Sequence, residues 1–139
     1  MSHLMIIDDD EDFAAAAATV LRDAGHDVTV ELNVTSAEKS LINRKPDLII
    51  LDVIFPENDS AGFEFARKIK HSDRDIKDIP ILILTAVNSS FSLGFSSNDI
   101  DEDWLPIETF IEKPVDFDIL EKKINTIIEE NNRLRNNIL

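Results

Sequence analysis

Five polar side chains stand at the ends of apolar runs, and their types suit phosphoryl chemistry. Asp8 and Asp9 follow Leu4 to Ile7, Asp52 follows Leu48-Ile49-Ile50-Leu51, Thr85 follows Ile81 to Leu84, and Lys113 follows the short run Thr109 to Ile111. Three carboxylates sharing one crevice repel one another unless a cation joins them. An oxygen-only set in a partly open cleft suits Mg²⁺, which takes few carboxylates and keeps several waters. Such an ion would also offset the charge of an incoming phosphoryl group. Asp52 can then act as a carboxylate nucleophile that forms an aspartyl phosphate, while the Thr85 hydroxyl and the Lys113 ammonium bind phosphoryl oxygens. No His or Glu is placed as a general base beside Asp52, so the phosphoryl group should arrive on an activated donor.

The elements that must bring these residues together can be read from the pattern around them. Leu48 to Leu51, bounded by prolines, reads as a strand buried on both faces of a parallel sheet, and Ile81 to Leu84 after Pro80 reads the same way. Val28 to Leu32 supplies another strand. Between the strands, Phe13 to Ala24 is an alanine-rich helix opened by acids that complement the helix dipole and ended by Gly25. Thr35 with Glu38 resembles a capping box, and Leu41 and Ile42 are expected to give that helix its buried side. Phe63, Ala66 and Ile69 keep a three-residue spacing toward the core. Asp116 begins a long amphipathic C-terminal helix. Five strands alternating with helices predict an α/β fold, a doubly wound five-stranded parallel sheet with helices on both faces. All five polar residues then fall on the carboxyl edge of the sheet, where open α/β sheets bind ligands.

Composition narrows the function classes. The 139 residues suit one domain with a real core, and 28 Asp and Glu against 14 Lys and Arg give a formal charge of −14. That field opposes direct binding to nucleic acid or to anionic membranes. No apolar run approaches the ~20 residues of a membrane span, and acids arrive too early for a signal peptide. The chain has no cysteine, hence no disulfide framework, which suits the cytoplasm.

The ordered set Asp8-Asp9, Leu51-Asp52-Val53-Ile54-Phe55-Pro56, Gly62, Thr85-Ala86 and Lys113-Pro114 resembles the receiver domains of two-component response regulators over nearly the whole chain. The resemblance implies a flavodoxin-like fold and phosphorylation of Asp52 by a histidine kinase or phosphotransfer protein. It implies Mg²⁺ held by Asp9, Asp52 and the Ile54 carbonyl, with Asp8 acting through water, and a cis Lys113-Pro114 bond. It also implies Phe110 as a switch aromatic that turns inward behind Thr85. Phe110 lacks a tyrosine hydroxyl, so switching would act through packing rather than a new hydrogen bond. The stretch from Thr85 to Lys113 is longer than usual for the family, and its serine-rich part, 87–107, reads mostly as loop.

Other readings use the same residues. An acidic run after a strand also serves as a solvated helix start, and a lone Asp also serves as a turn or cap. Phosphatases of the haloacid dehalogenase type share a strand-end Asp, a Thr and a Lys, but Ile54 stands where their general acid belongs. A receiver-like binding module switched without phosphate is the alternative. His3, His26 and His71 are expected at the surface or in caps, Trp104 as a loop anchor, and Phe63, Phe65 and Phe95 in packing.

The C-terminal helix is too long for its own domain. Phe117, Leu120, Ile124, Ile127, Asn131, Leu134 and Ile138 follow a heptad with Asn131 at an a position, which favours two parallel strands. The expected organisation is a receiver over 1–128 and a helical extension over 129–139. The extension is expected to form a weak homodimer or to lead to a downstream partner or a missing output domain.

Overall fold

Runs such as Leu4 to Ile7 and Leu48 to Leu51 offer a sheet no polar face, and each becomes a fully buried strand between two neighbours. The computed structural model describes residues 2–52, 61–72, 75–86, 110–113 and 116–138. The elements are β1 (His3–Ile7), α1 (Glu11–Asp23), β2 (Asp27–Glu31), α2 (Val34–Asn43), β3 (Leu48–Asp52) and α3 (Ala61–Lys70). A short 3-10 helix (Asp75–Asp78), β4 (Ile81–Ala86), β5 (Phe110–Lys113) and the C-terminal helix α4 (Phe117–Ile138) complete the described chain. All strand pairs are parallel, in the order β2-β1-β3-β4-β5, so the chain reverses direction of winding between β1 and β3.

The period of two along each strand sorts the core into two layers. Met5, Ile7, Ile49, Leu51, Ile81 and Ile83 face α2 and α3, where Ala37, Leu41, Phe65, Ala66 and Ile69 meet them. Leu4, Ile6, Leu48, Ile50, Leu82 and Leu84 face the other way, onto Ala14, Ala17, Ala18 and Leu21 of α1 and Leu120 and Ile124 of α4. The alanines let α1 lie close to the sheet. Gly25, at φ 102°, then makes the left-handed turn that an L side chain would resist.

Several local expectations are corrected. The cap of α2 is Asn33, whose extended backbone lets its carboxamide oxygen accept from Ser36 N at 2.8 Å; Thr35 lies inside the helix. Glu38 instead reaches across to α3, 3.2 Å from Lys68 Nζ. Leu41 is buried but Ile42 is 66% exposed, because the stripe set by Ala37 and Leu41 turns the next residue outward. His3 is buried, not a surface residue. It lies in β1 between two paired strands, its Nε2 2.8 Å from Thr29 Oγ1 and its backbone N–H donating to Asp47. The last strand runs from Phe110 to Lys113 rather than ending at Ile111.

The Asp27–Arg44 ion pair, at 2.6 Å, joins the start of β2 to the end of α2, and the Arg44 hydrogen bond holds the Asp27 carboxyl below its usual range. The expected loop at 87–107, with Trp104 and Phe95, and the Lys113-Pro114 bond lie outside the described residues.

Candidate metal centre at the carboxyl edge of the sheet

β3 delivers Asp52 as its last residue, level with Leu84 of β4. β1 ends at Ile7, which pairs with Leu51, so Asp8 emerges beside Asp52 across the point where the winding reverses. Carboxylate oxygens of Asp8, Asp9 and Asp52 all lie within 4.8 Å of one another. Asp8 is fully buried, Asp52 is 6% exposed, and Asp9 is the most open of the three.

Local geometry fixes this cluster. Asp8 N donates to Glu31 O at 3.0 Å, and Asp8 Oδ1 accepts from Asp10 N at 2.9 Å. Asp10 is a helix cap: its carboxylate accepts from Phe13 N at 3.1 Å and its carbonyl from Ala14 N. The run of acids therefore divides its labour. Asp8 and Asp9 turn toward β3, Asp10 closes the helix end, and Glu11 and Asp12 occupy the first turn of α1, where the dipole favours them.

Three carboxylates at this spacing, two of them out of water, fit a hard divalent cation. Such an ion accepts oxygen ligands alone and neutralises charge that the fold has brought together. Thr85 and Lys113 extend the same edge through their backbones, Thr85 one residue beyond the level of Asp52 on the neighbouring strand and Lys113 paired with Ala86 on the next. Phe110 begins β5 opposite Ile83. Ile54 lies outside the described residues.

An acid pair just after β1, an acid ending β3, then Thr on β4 and Lys on β5, on a sheet of order 2-1-3-4-5, narrows the comparison to few folds. Residues 4–125 match the response regulator receiver domain family. This chain belongs to that family. It is 31% identical over 135 residues to the transcriptional regulatory protein AfsQ1 of Streptomyces coelicolor, covering 96% of this chain and 54% of that protein. It is 36% identical over 83 residues to the phosphate regulon transcriptional regulatory protein PhoB of Pseudomonas aeruginosa, covering 60% of this chain and 35% of that one. Among solved structures, a putative response regulator from Chloroflexus aurantiacus superposes with a TM-score of 0.72 at 26% identity, over 92% of this chain and 98% of that one. The chain thus spans about half the length, or less, of these two curated relatives.

The chain is therefore a receiver domain of the two-component type, a signalling domain built on the flavodoxin-like sheet. No helix among the described residues is long and apolar enough to cross a membrane. The sequence placed Asp8, Asp52, Thr85 and Lys113 along this edge, although β4 runs on through Thr85 to Ala86 rather than closing at Leu84 and β2 ends at Glu31 rather than Leu32. It did not single out the contacts that brace them, the Asp10 amide on Asp8 and the Asp8 amide on β2. Both are backbone donors, which no residue type announces.

Proposed function

We propose that Asp52 is the phosphoacceptor of this receiver and that Asp8, Asp9 and Asp52 hold the Mg²⁺ its phosphorylation requires. The observation that carries the reading is the convergence of three carboxylates within 4.8 Å at the carboxyl edge, with Asp52 on the central β3. One Asp52 oxygen forms the new P–O bond as the bond from phosphorus to its donor breaks. Bound there, Mg²⁺ supplies positive charge to the acids and to the phosphoryl oxygens. The Ile54 carbonyl is assigned as a further ligand and Asp8 as a ligand through water. Thr85 and Lys113 bind phosphoryl oxygens, and Phe110 moves with Thr85 to change the surface a partner reads, through packing alone.

The donor is a histidine kinase or phosphotransfer protein, and the site of action is the cytoplasm. Residues 1–128 form the receiver. Residues 129–139 continue α4 as an extension toward a downstream partner, an output domain or a second copy. Support for that boundary comes from packing: among the described residues of α4, Ile127 and Ile128 are the last against the core, while the helix itself runs unbroken to Ile138.

Incubation with acetyl phosphate and Mg²⁺, followed by intact-mass measurement, tests the reading. One phosphoryl group per chain is expected, absent in Asp52→Asn and absent with chelator. A stoichiometric adduct on the Asp52→Asn protein would overturn the assignment, and steady release of phosphate without an adduct would favour a phosphatase.

A further inference from the structure

On the face of the sheet away from α1 and α4, the helices α2 and α3 do not close against each other. They leave a half-open groove of about 210 Å³ whose floor is Leu41, Phe65 and Ile69 and whose edges include Ile42 and Ile76. Ile42 is one of two large hydrophobic side chains strongly exposed among the described residues, at 66%. At the rim, Lys68 and Glu38 form an ion pair at 3.2 Å with side chains 71% and 43% exposed.

The size of the groove selects its occupant. Pockets that enclose a small-molecule ligand run to roughly 300–1,000 Å³, whereas this one has room for a single large apolar side chain. Charge selects further. The two helices themselves hold Lys39, Arg67, Lys68 and Lys70 against Glu38 and Glu64, a net +2, in a chain whose formal charge is −14. The last turn of α3 is basic, with Arg67, Lys68 and Lys70. An acidic partner is therefore repelled by most of this molecule and least by this side. An exposed ion pair such as Lys68–Glu38 contributes little to stability, so Lys68 can turn to an incoming carboxylate at small cost.

We propose that the groove between α2 and α3 is a docking site for an acidic amphipathic segment of a partner protein. One large apolar side chain of that segment seats between Ile42 and Ile76, and a neighbouring carboxylate pairs with Lys68. This surface lies apart from the acid cluster, on the opposite layer from α1 and α4.

The test uses the full chain with labelled isoleucine methyls and three synthetic peptides: leucine and glutamate at helical spacing, the same peptide with serine for leucine, and the same with lysine for glutamate. The acidic leucine peptide is expected to shift the methyls of Ile42, Ile69 and Ile76, and the other two are not. Ile42→Glu and Lys68→Glu are each expected to weaken binding about tenfold or more. Both positions are well exposed, so the variants keep the fold, which thermal melts verify. Unmoved groove methyls at millimolar peptide, equal binding of the lysine peptide, or affinity indifferent to both substitutions would overturn the proposal. So would the same methyl shifts on raising protein concentration without peptide, which would make a second copy the occupant.

Discussion

Removing one charge from the acid cluster should stabilise the metal-free protein, and the gain can be sized from the structure. The oxygens of Asp8, Asp9 and Asp52 lie within 4.8 Å. Two unit charges at that separation repel by about 0.9 kcal/mol in bulk water and about 3.5 kcal/mol at an effective dielectric of ~20. Asp52→Asn removes two of the three pairs, so the repulsion relieved is about 2 kcal/mol with full water screening. Burial of Asp8 and Asp52 pushes it higher. For a domain of this size, about 2 kcal/mol raises Tm by roughly 8 °C. Melting in chelator at low salt should show the variant above the native chain, with the difference shrinking as salt rises. Magnesium should narrow that gap by stabilising the native chain more than the variant. At 100 times its Kd an ion binding only the folded state adds about 2.7 kcal/mol, and the variant loses most of that. An Asp52→Asn protein no more stable than the native chain in chelator, with Mg²⁺ shifting both alike, would refute the reasoning.

The remaining predictions concern caps, titration and the far end of α4. Asn33→Ala should cost about 0.5–2 kcal/mol in urea unfolding, while Thr35→Ala stays within about 0.5 kcal/mol; the reverse ranking would restore Thr35 as the cap. Lys70 donates from Nζ to the Ile79 carbonyl at 2.9 Å, and burial pulls its pKa below 10.5, with Asp78 opposing. Between its folded pKa and 10.5 the unfolded chain binds more protons, so this lysine's contribution to stability rises with pH there. Lys70→Met should flatten that rise in alkaline urea titrations. A chain ended at Glu129 should keep its receiver stability within about 1 kcal/mol, because Ile127 and Ile128 are retained. In sedimentation at high micromolar concentration the full chain should exceed it in mass by self-association, and equal monomeric masses would reject dimerisation through 129–139.

The parts of the fold legible in the sequence were those set by long apolar runs and by what ends them. β3 and β4 have no alternative to burial on both faces, and the polar residue after each run had to reach the carboxyl edge, so Asp8, Asp52 and Thr85 fell on one line. Short-range signals were weaker. The Thr35–Glu38 spacing fits a capping box, but Asn33, two residues earlier, takes the extended backbone a cap needs, and Glu38 is held by Lys68 instead. Ile42 looked like core by type, yet only the angle from Ala37 and Leu41 decides which way it points. His3 looked like surface by type. Its burial depends on β2 and β3 flanking β1 and on Thr29 meeting its ring, facts of tertiary pairing that no local pattern contains.

The helix that follows the acid cluster and α4 meet in a ring contact, which makes their coupling measurable. Asp10 caps α1, Phe13 sits in that first turn, and its ring lies 5.9 Å from Phe117, tilted by 30°. Phe117 opens α4, four residues after Lys113. The helix that follows the acids and the helix that follows the lysine therefore touch at their first turns, on the layer where α4 also buries Leu120 and Ile124. Aromatic pairs of this geometry are worth about 0.5–1.5 kcal/mol beyond the area they bury. A double-mutant cycle of Phe13→Leu and Phe117→Leu isolates that term, since leucine keeps most of the apolar volume at each site. The coupling is expected in that range in chelator. It should change on adding Mg²⁺, because an ion drawing Asp8 and Asp9 toward Asp52 pulls on the cap of α1 and so on Phe13. A coupling energy identical with and without Mg²⁺ would reduce the ring contact to packing and leave α4 mechanically independent of the site.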